Sequence, residues 1–138
     1  MSSHNEALVK RWFEEVWNQG RADAVDEMLA EDGIVHGLSD ESGQPLQGPE
    51  AFKTFHGAFR GAFPDINVIV EDTISEGDKL AVRCTVRGKH TGAGLGFDAT
   101  HADMDITGMA IVRIKDGKIV EAWNNFDFMT MHRQLGTI

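Results

Sequence analysis

The sequence predicts a single α+β domain, in which helices lie on the concave face of a curved, mostly antiparallel sheet. Three observations support this fold class. The chain has 138 residues, which is the length of one domain. Its first half contains three segments with apolar residues at helical spacing. Its second half contains four long segments of strand character, and helices followed by strands are typical of α+β proteins rather than of alternating βαβ units.

Composition and charge restrict the partners and the location of the protein. The formal net charge is -9 at neutral pH, which repels phosphate backbones and anionic lipid surfaces. No apolar run reaches the roughly 20 residues that a membrane-spanning helix needs, and no charged-then-apolar leader opens the sequence. Cys84 is the single cysteine, so no internal disulfide can form. We therefore expect a cytoplasmic protein without nucleic-acid or membrane partners.

Three helices are predicted in the first half. The first covers residues 5–18 and ends at Gly20, and the second covers residues 23–32. The third begins at Pro49, which fits the first helical position, and ends before Pro64. Along the third helix, aromatic side chains recur at spacings of three and four: Phe52, Phe55, His56, Phe59 and Phe63. This face must be buried, and it makes Phe59, together with Trp12 of the first helix, a candidate pocket wall.

The strands are predicted mainly in the second half. A brief strand covers residues 34–36, and residues 38–47 form a polar surface loop. Long strands follow over residues 66–75, 79–88, 103–115 and 118–127, with glycine turns at Gly77 and Gly117. Residues 129–135 are expected to form one or two helical turns.

The last hairpin indicates a pocket. If residues 116 and 117 are its two turn residues, Ala110 lies opposite Trp123 and Gly108 lies opposite Asn125. Trp123, Asn125 and Asp127 then share one face, opposite residues too small to fill the space, which favours a cavity. The alternative is that Trp123 fills the core and Asp127 caps the C-terminal helix.

The other face of this hairpin is also apolar. It carries Met109, Ile111, Val120, Ala122 and Phe126 in the same predicted register. Burial on both faces is expected when one face packs on helices and the other on a partner. We therefore predict a homodimer that forms through the convex face of the sheet.

Four polar residues stay open between a pocket role and a structural one. His56 lies on an apolar helix face, where a hydrogen-bonded core histidine is the alternative. His36 ends a strand, and its alternative is a strand-end hydrogen bond. His90 lies where it could simply shape a turn. Arg83 either lines the pocket or forms an ion pair with Glu121 inside the sheet.

Metal and thiol chemistry are not expected. His101, Asp103 and Asp105 resemble ligands, but no second cluster completes a coordination sphere. Cys84 lies inside a strand without an adjacent base, which favours a buried, inert thiol.

Short motifs occur in a fixed order along nearly the whole chain. They comprise Trp17, Asn18 and Gly20; Ala62, Phe63, Pro64 and Asp65; Glu76, Gly77 and Asp78 before Arg83; His90, Thr91 and Gly92; Asp116, Gly117, Lys118, Ile119, Val120 and Glu121; and Trp123, Asp127, Gln134, Leu135 and Gly136. Their order and spacing resemble the SnoaL-type polyketide cyclases, a branch of the fold family named after nuclear transport factor two.

The resemblance implies a cone-shaped α+β barrel and an intramolecular aldol closure of a polyketide ester, without metal or organic cofactor. It places Asp127 at the position of the acid/base aspartate, which needs a shielded site to raise its pKa. The candidate donors for the enolate are His36, His56, His90, Arg83 and Asn125. The chain departs from its relatives in having no tyrosine and in its loop over residues 92–101, which bears on the substrate.

Three functions are compatible with these residues. The first is a cofactor-independent lyase or isomerase for a small hydrophobic carbonyl compound, with Asp127 as acid/base. The second is an epoxide hydrolase or dehydratase, to which Arg83 and Asp127 give partial support. The third is a noncatalytic small-molecule-binding or dimerisation module, since one fold hosts many activities.

Overall fold

The computed structural model of the chain describes residues 2–39 and 42–138, so Asp40 and Glu41 of the predicted 38–47 loop lie outside the described residues. Six strands form one sheet: β1 Leu29–Ser39, β2 Pro45–Gln47, β3 Asn67–Glu76, β4 Lys79–Lys89, β5 Asp103–Lys115 and β6 Lys118–Phe126. Their order is β2-β1-β6-β5-β4-β3. Only β1 and β6 run parallel, and the other neighbours are antiparallel. The predicted α+β class with a mostly antiparallel sheet is confirmed, although the sheet is not closed into a barrel.

The helices cover one face of this sheet. The first, α1 Ser2–Arg11, continues directly into a π-helical segment, Trp12–Asn18. It is followed by α2 Ala22–Met28, α3 Gly48–Ala62 and, after the last strand, α4 Phe128–Leu135. None of the described helices is long and apolar enough to cross a membrane. The helices bury the inner face of the sheet in one core, in which the strands contribute alternate residues.

The region around β1 differs from the prediction. The second helix ends at Met28 instead of continuing to residue 32, and β1 is eleven residues long instead of three. The reason is tertiary, because β1 pairs in parallel with β6, from Leu29 opposite Ile119 to His36 opposite Trp123. Part of the predicted loop also pairs with β1 as β2, and its residue Leu46 is buried.

Asn18 connects the first helix to the edge of the sheet. Its amide nitrogen donates to the Val68 carbonyl oxygen at 3.0 Å, and its Oδ1 accepts from the Val68 N–H at 2.6 Å. Val68 lies in β3, an edge strand whose outward backbone groups have no neighbouring strand. The side chain therefore takes the place of a strand there and blocks further pairing at that point.

The last hairpin differs most from the prediction, because its two strands pair in a different register. Next to the turn, Ile114 lies opposite Ile119 as predicted, but Arg113 lies opposite Glu121, so Val120 is an additional residue in β6. Such a β-bulge reverses the facing of every later residue in the strand. Ile111, not Ala110, therefore lies opposite Trp123, and the prediction that Trp123 and Asn125 face inward is wrong.

Candidate functional site

An apolar cavity lies between the helices and the inner face of the sheet. Its volume is about 70 Å³, and a water molecule takes up about 30 Å³ in the liquid. Sites for drug-sized ligands measure roughly 300–1,000 Å³, so a ligand of several rings requires the cavity to expand. Its wall consists of Val9, Trp12, Phe13, Trp17, Leu29, Val35, Leu38, Phe52, Phe55, Phe59, Ile66, Val68, Val86, Ile106, Ala110, Val112, Ile119, Ala122, Asn124, Phe126 and Phe128.

Helix α3 supplies the aromatic part of this wall. Phe52, Phe55 and Phe59 share one helix face because their spacings are three and four. Across from them, the Trp12 ring lies 4.9 Å from Phe52, and the Trp17 ring lies 6.0 Å from Phe59, with the distances measured between ring centroids. Of the predicted pocket residues, Trp12 and Phe59 thus line the cavity. Such a wall excludes water and favours an apolar ligand.

Asn124 is the one side-chain amide in the cavity wall. The bulge at Val120 turns it inward, and its Nδ2 donates to the His36 carbonyl oxygen at 2.9 Å. The neighbouring Gly37 has a φ of 86°, and a Cβ atom there would lie 2.0 Å from the Asn124 carbonyl oxygen. The sequence pattern does not indicate Asn124, because a regular hairpin would place it on the outer face.

No ionisable side chain lines the cavity within the part of the chain that the structure describes. His56 lies near the cavity but does not line it, and it is a residue of the core. It is buried on α3, and its Nε2 lies 2.6 Å from the Val16 carbonyl oxygen, to which it donates. Burial is the main cause that lowers the pKa of His56, so its ring is uncharged at neutral pH.

Asp127 lies between two cavity-lining residues in the chain, but its side chain is exposed to solvent. Its neighbours Phe126 and Phe128 both line the cavity, whereas Asp127 is exposed. The side chain caps α4, because Oδ1 accepts from the Thr130 N–H at 3.0 Å and Oδ2 from the Thr130 hydroxyl at 2.6 Å. These hydrogen bonds lower the pKa of Asp127, and the bond from the hydroxyl has the larger effect. The environment expected for it, dry and with a raised pKa, is therefore absent in this structure.

Several other predicted pocket residues lie on the outer face of the sheet, which we define by Arg83, Met109, Ile111, Arg113, Glu121 and Trp123. Here the Trp123 ring stacks on His36 with a centroid distance of 5.7 Å and an angle of 14°. Arg83, Asn125 and Asp127 do come together, but around a groove on this face, whose wall also includes Gly108. The bulge in β6 explains why Trp123 and Asn125 lie on the outer face instead of in the cavity wall.

Glu121 pairs with His36 instead of Arg83. The His36 Nε2 lies 2.7 Å from the Glu121 Oε2, and Arg113 lies 3.6 Å from the other carboxylate oxygen. The hydrogen bond from His36 is the main cause that lowers the pKa of Glu121. Arg83 is exposed on the outer face, so the predicted ion pair inside the sheet is wrong.

Gly108 faces inward but leaves no room for a ligand. A Cβ atom on it would lie 2.1 Å from the Phe126 ring, so its missing side chain accommodates that ring. His90 is completely buried at the end of β4, between Phe63 and Phe97. Cys84 is also buried, and desolvation raises its pKa to about 12, which makes its thiol unreactive near neutral pH.

Comparison with known proteins identifies the family. A family model described as SnoaL-like polyketide cyclase matches residues 7–135, which is nearly the whole chain. The chain belongs to the SnoaL-like polyketide cyclase family. The aklanonic acid methyl ester cyclase DauD of Streptomyces sp. strain C5 is 29% identical over 94% of this chain and 80% of its own length. The nogalonic acid methyl ester cyclase of Streptomyces nogalater is 30% identical, over 87% of this chain and 89% of its own length.

Solved structures of the family have the same architecture. IdmH from Streptomyces antibioticus superimposes with a TM-score of 0.81 and 29% identity, over 95% of this chain and 97% of that one. A SnoaL-like protein from Jannaschia sp. CCS1 superimposes with a TM-score of 0.87 and 23% identity, over 99% of this chain and 94% of that one. The second match shows the fold alone. The resemblance in the sequence motifs is therefore confirmed for both the family and the fold.

Proposed function

We propose that this chain is a cofactor-independent cyclase or isomerase for a small, largely apolar carbonyl compound of polyketide type. One observation carries the proposal: an apolar cavity with a single amide, Asn124, in a member of a family whose curated relatives are ester cyclases. The apolar wall would hold the carbon skeleton, and the amide would orient a carbonyl group.

The chemistry of such a reaction needs no redox partner. A proton leaves the carbon next to a carbonyl group, the resulting enolate attacks a second carbonyl carbon, and the new alkoxide takes up a proton. The enolate oxygen requires a hydrogen-bond donor in a dry site. The Asn124 amide has two N–H groups and uses one of them on His36. We assign the second one to the oxygen of the enolate.

Asp127 stays the predicted acid/base. For this role its carboxylate must leave the Thr130 N–H and hydroxyl and turn inward between Phe126 and Phe128. In the capped state its lowered pKa keeps it ionised throughout the neutral range. Once it has left Thr130, the drier surroundings between the two phenylalanine rings favour a higher pKa, which makes it a stronger base. The cost of the role is the loss of the cap on α4.

The reaction can be assayed with the esters that give the relatives their names. We expect the protein to cyclise aklanonic acid methyl ester or nogalonic acid methyl ester, detected by chromatography because substrate and product have equal mass. In D₂O, removal of the proton also exchanges hydrogen for deuterium next to the carbonyl, and mass spectrometry detects this even without ring closure. Absence of both cyclisation and exchange above the buffer rate, for both esters, would contradict the proposal.

A second function is favoured by a separate observation. Because no ionisable side chain lines the cavity in the described part of the chain, it is also suited to a noncatalytic binding module. That function predicts saturable binding of the esters without deuterium exchange. A hydrolase or dehydratase is disfavoured, because Arg83 and Asp127, which would carry it, meet on the outer face instead.

We propose that the outer face binds a second copy of the chain. Met109 and Ile111 are 53% and 46% exposed there, beside Trp123. The net charge of -9 opposes self-association, but on this face the cations of Arg83 and Arg113 accompany the anion of Glu121. Two copies that meet through this face therefore repel each other less than the total charge of the chain indicates.

Ile111→Arg is expected to convert this dimer into a monomer, because two guanidinium groups would meet in an apolar contact. Light scattering during size-exclusion chromatography at micromolar concentration measures the mass. Met129→Arg is the matched control, since Met129 is 58% exposed and lies on α4 instead of on a strand of the sheet, and it should leave the dimer intact. A wild-type protein that is a monomer at this concentration would contradict the proposal.

A further inference from the structure

His90 contains a buried hydrogen-bond donor without a partner. Its ring is completely buried, and its Nδ1 accepts from the Thr100 N–H at 3.0 Å and lies 2.9 Å from the Thr100 hydroxyl. A ring nitrogen that accepts from an N–H carries no proton, so the proton of the ring is on Nε2. Among the described side chains, this Nε2 is the single buried nitrogen or oxygen atom that lacks a partner.

Such a donor is unfavourable for folding. Burial removes its hydrogen bonds to water, and the protein supplies no replacement. Buried polar groups in folded proteins are nearly always paired, so an exception calls for a partner from outside the chain, such as a water molecule or a ligand.

The position of His90 connects it to the cavity. Its ring centroid lies 5.4 Å from those of Phe63 and Phe97. Phe63 lies 5.2 Å from Phe59, which lines the cavity. A row of aromatic rings thus leads from the cavity wall to the unpartnered donor.

The loop over residues 91–102 covers His90, and its middle is weakly held. Its ends are fixed, because Thr91 and Gly92 donate to the Ala62 carbonyl oxygen and His101 donates to that of His90. Between residues 93 and 99, the described backbone makes one backbone hydrogen bond, from Gly96 to Ala93. Phe97, which is only half-buried, belongs to this middle part. Because few hydrogen bonds hold this part of the loop, displacement of Phe97 requires little disruption of the fold.

We propose that His90 is a ligand-binding residue whose Nε2–H donates a hydrogen bond to an oxygen atom of the ligand, once Phe97 moves aside, Phe63 shifts into the space that Phe97 leaves and the cavity extends to His90. A ligand of several rings requires such an extension, because the cavity volume is only about 70 Å³. The inference deepens the proposed function, since it rests on an apolar carbonyl ligand, but it requires binding only. It predicts that the protein distinguishes a carbonyl compound from a hydrocarbon of the same size.

The test compares two probes, 1-acetonaphthone and 1-isopropenylnaphthalene, which have the same number of non-hydrogen atoms and nearly the same shape, and differ in that a CH₂ group replaces the carbonyl oxygen. Wild-type protein should bind the ketone about tenfold more tightly, the usual net effect of one hydrogen bond in a dry site. His90→Asn keeps an acceptor for the Thr100 N–H but lacks the distal donor, so it should lose the preference. His90→Gln is the matched control, because its Nε2 replaces the distal donor while the bond to Thr100 is lost. It should keep most of the preference.

A role of His90 in the fold alone gives a different result. The preference for the ketone would then persist in His90→Asn, or be absent from the wild type, and either result would overturn the inference, as would failure to bind both probes. If the variants do not fold, nitrogen NMR of the wild type decides, since the Nε2 resonance must shift with the ketone and not with the hydrocarbon. A protein that shows the ketone preference but no deuterium exchange on the esters would sustain this inference and reject the cyclase.

Discussion

Ala110→Leu is expected to weaken ligand binding in the cavity by about tenfold or more and to reduce turnover with it. Ala110 lies in the cavity wall directly opposite Asn124, and the three additional carbon atoms would occupy most of its volume of about 70 Å³. Steric overlap in a packed interior costs about 1–3 kcal/mol, so we expect ligand affinity to fall by about tenfold or more. Fluorescence titration with 1-acetonaphthone and the ester assay measure the two effects.

Ala22→Leu is the control for this change. It adds the same three carbon atoms at an exposed position of α2, outside the cavity wall. Thermal unfolding of both variants shows whether either change has damaged the fold. If Ala110→Leu folds and binds the ketone as the wild type does, the ligand site is not this cavity, and the proposed function loses the observation that carries it.

Asp127→Asn is expected to reduce turnover by about a hundredfold, the usual effect of removing a general base. The fold should remain, because asparagine is as good as aspartate at the N-terminal cap of a helix. The capping bonds lower the pKa of Asp127, so the capped carboxylate is ionised at neutral pH and becomes protonated only in strongly acidic solution, below its usual pKa of about 3.9. Its contribution to stability has the same sign, since it is present above that pH and is lost as the carboxylate becomes protonated.

Thr130→Ala separates the catalytic from the structural role of Asp127. This change removes the hydroxyl that donates to Oδ2 but keeps the carboxylate. If Asp127 only caps α4, both variants should unfold at slightly lower temperature with unchanged turnover. If it is the acid/base, turnover should fall in Asp127→Asn and be retained in Thr130→Ala. Unchanged deuterium exchange in Asp127→Asn would remove Asp127 from the mechanism.

Most of the local structure follows from sequence patterns. The predicted strand over residues 103–115 agrees with β5 at both ends, and the predicted third helix agrees with α3 to within one or two residues. Here the signals are short in range: alternation along the strand, a proline at each end of the helix, and glycine in the turn. The weaker agreement around β1 has the opposite cause, because that strand is stabilised by β6, far away in the chain.

The residues of the candidate site were harder to predict from sequence patterns. Trp12 and Phe59 could be placed at the cavity because the regular repeat of a helix fixes which of its side chains share a face. Asn124 could not, and Trp123 and Asn125 were placed on the wrong face, since one additional residue at Val120 reverses everything after it. Nor does any local pattern show that Nε2 of His90 lacks a partner, which depends on a loop, a helix and two rings packed together.

The sequence by itself thus determined the α+β class, the limits of most elements, the family and the apolar character of the interior. These properties depend on periodicity and on short motifs, which need no knowledge of distant contacts. Only the tertiary structure decided which side chains of β6 face the cavity, that Asp127 caps α4 and that His90 holds a buried donor without a partner. The physical reason is that strand register and burial are set by contacts between segments, where a shift of one residue exchanges the inside and the outside of a sheet.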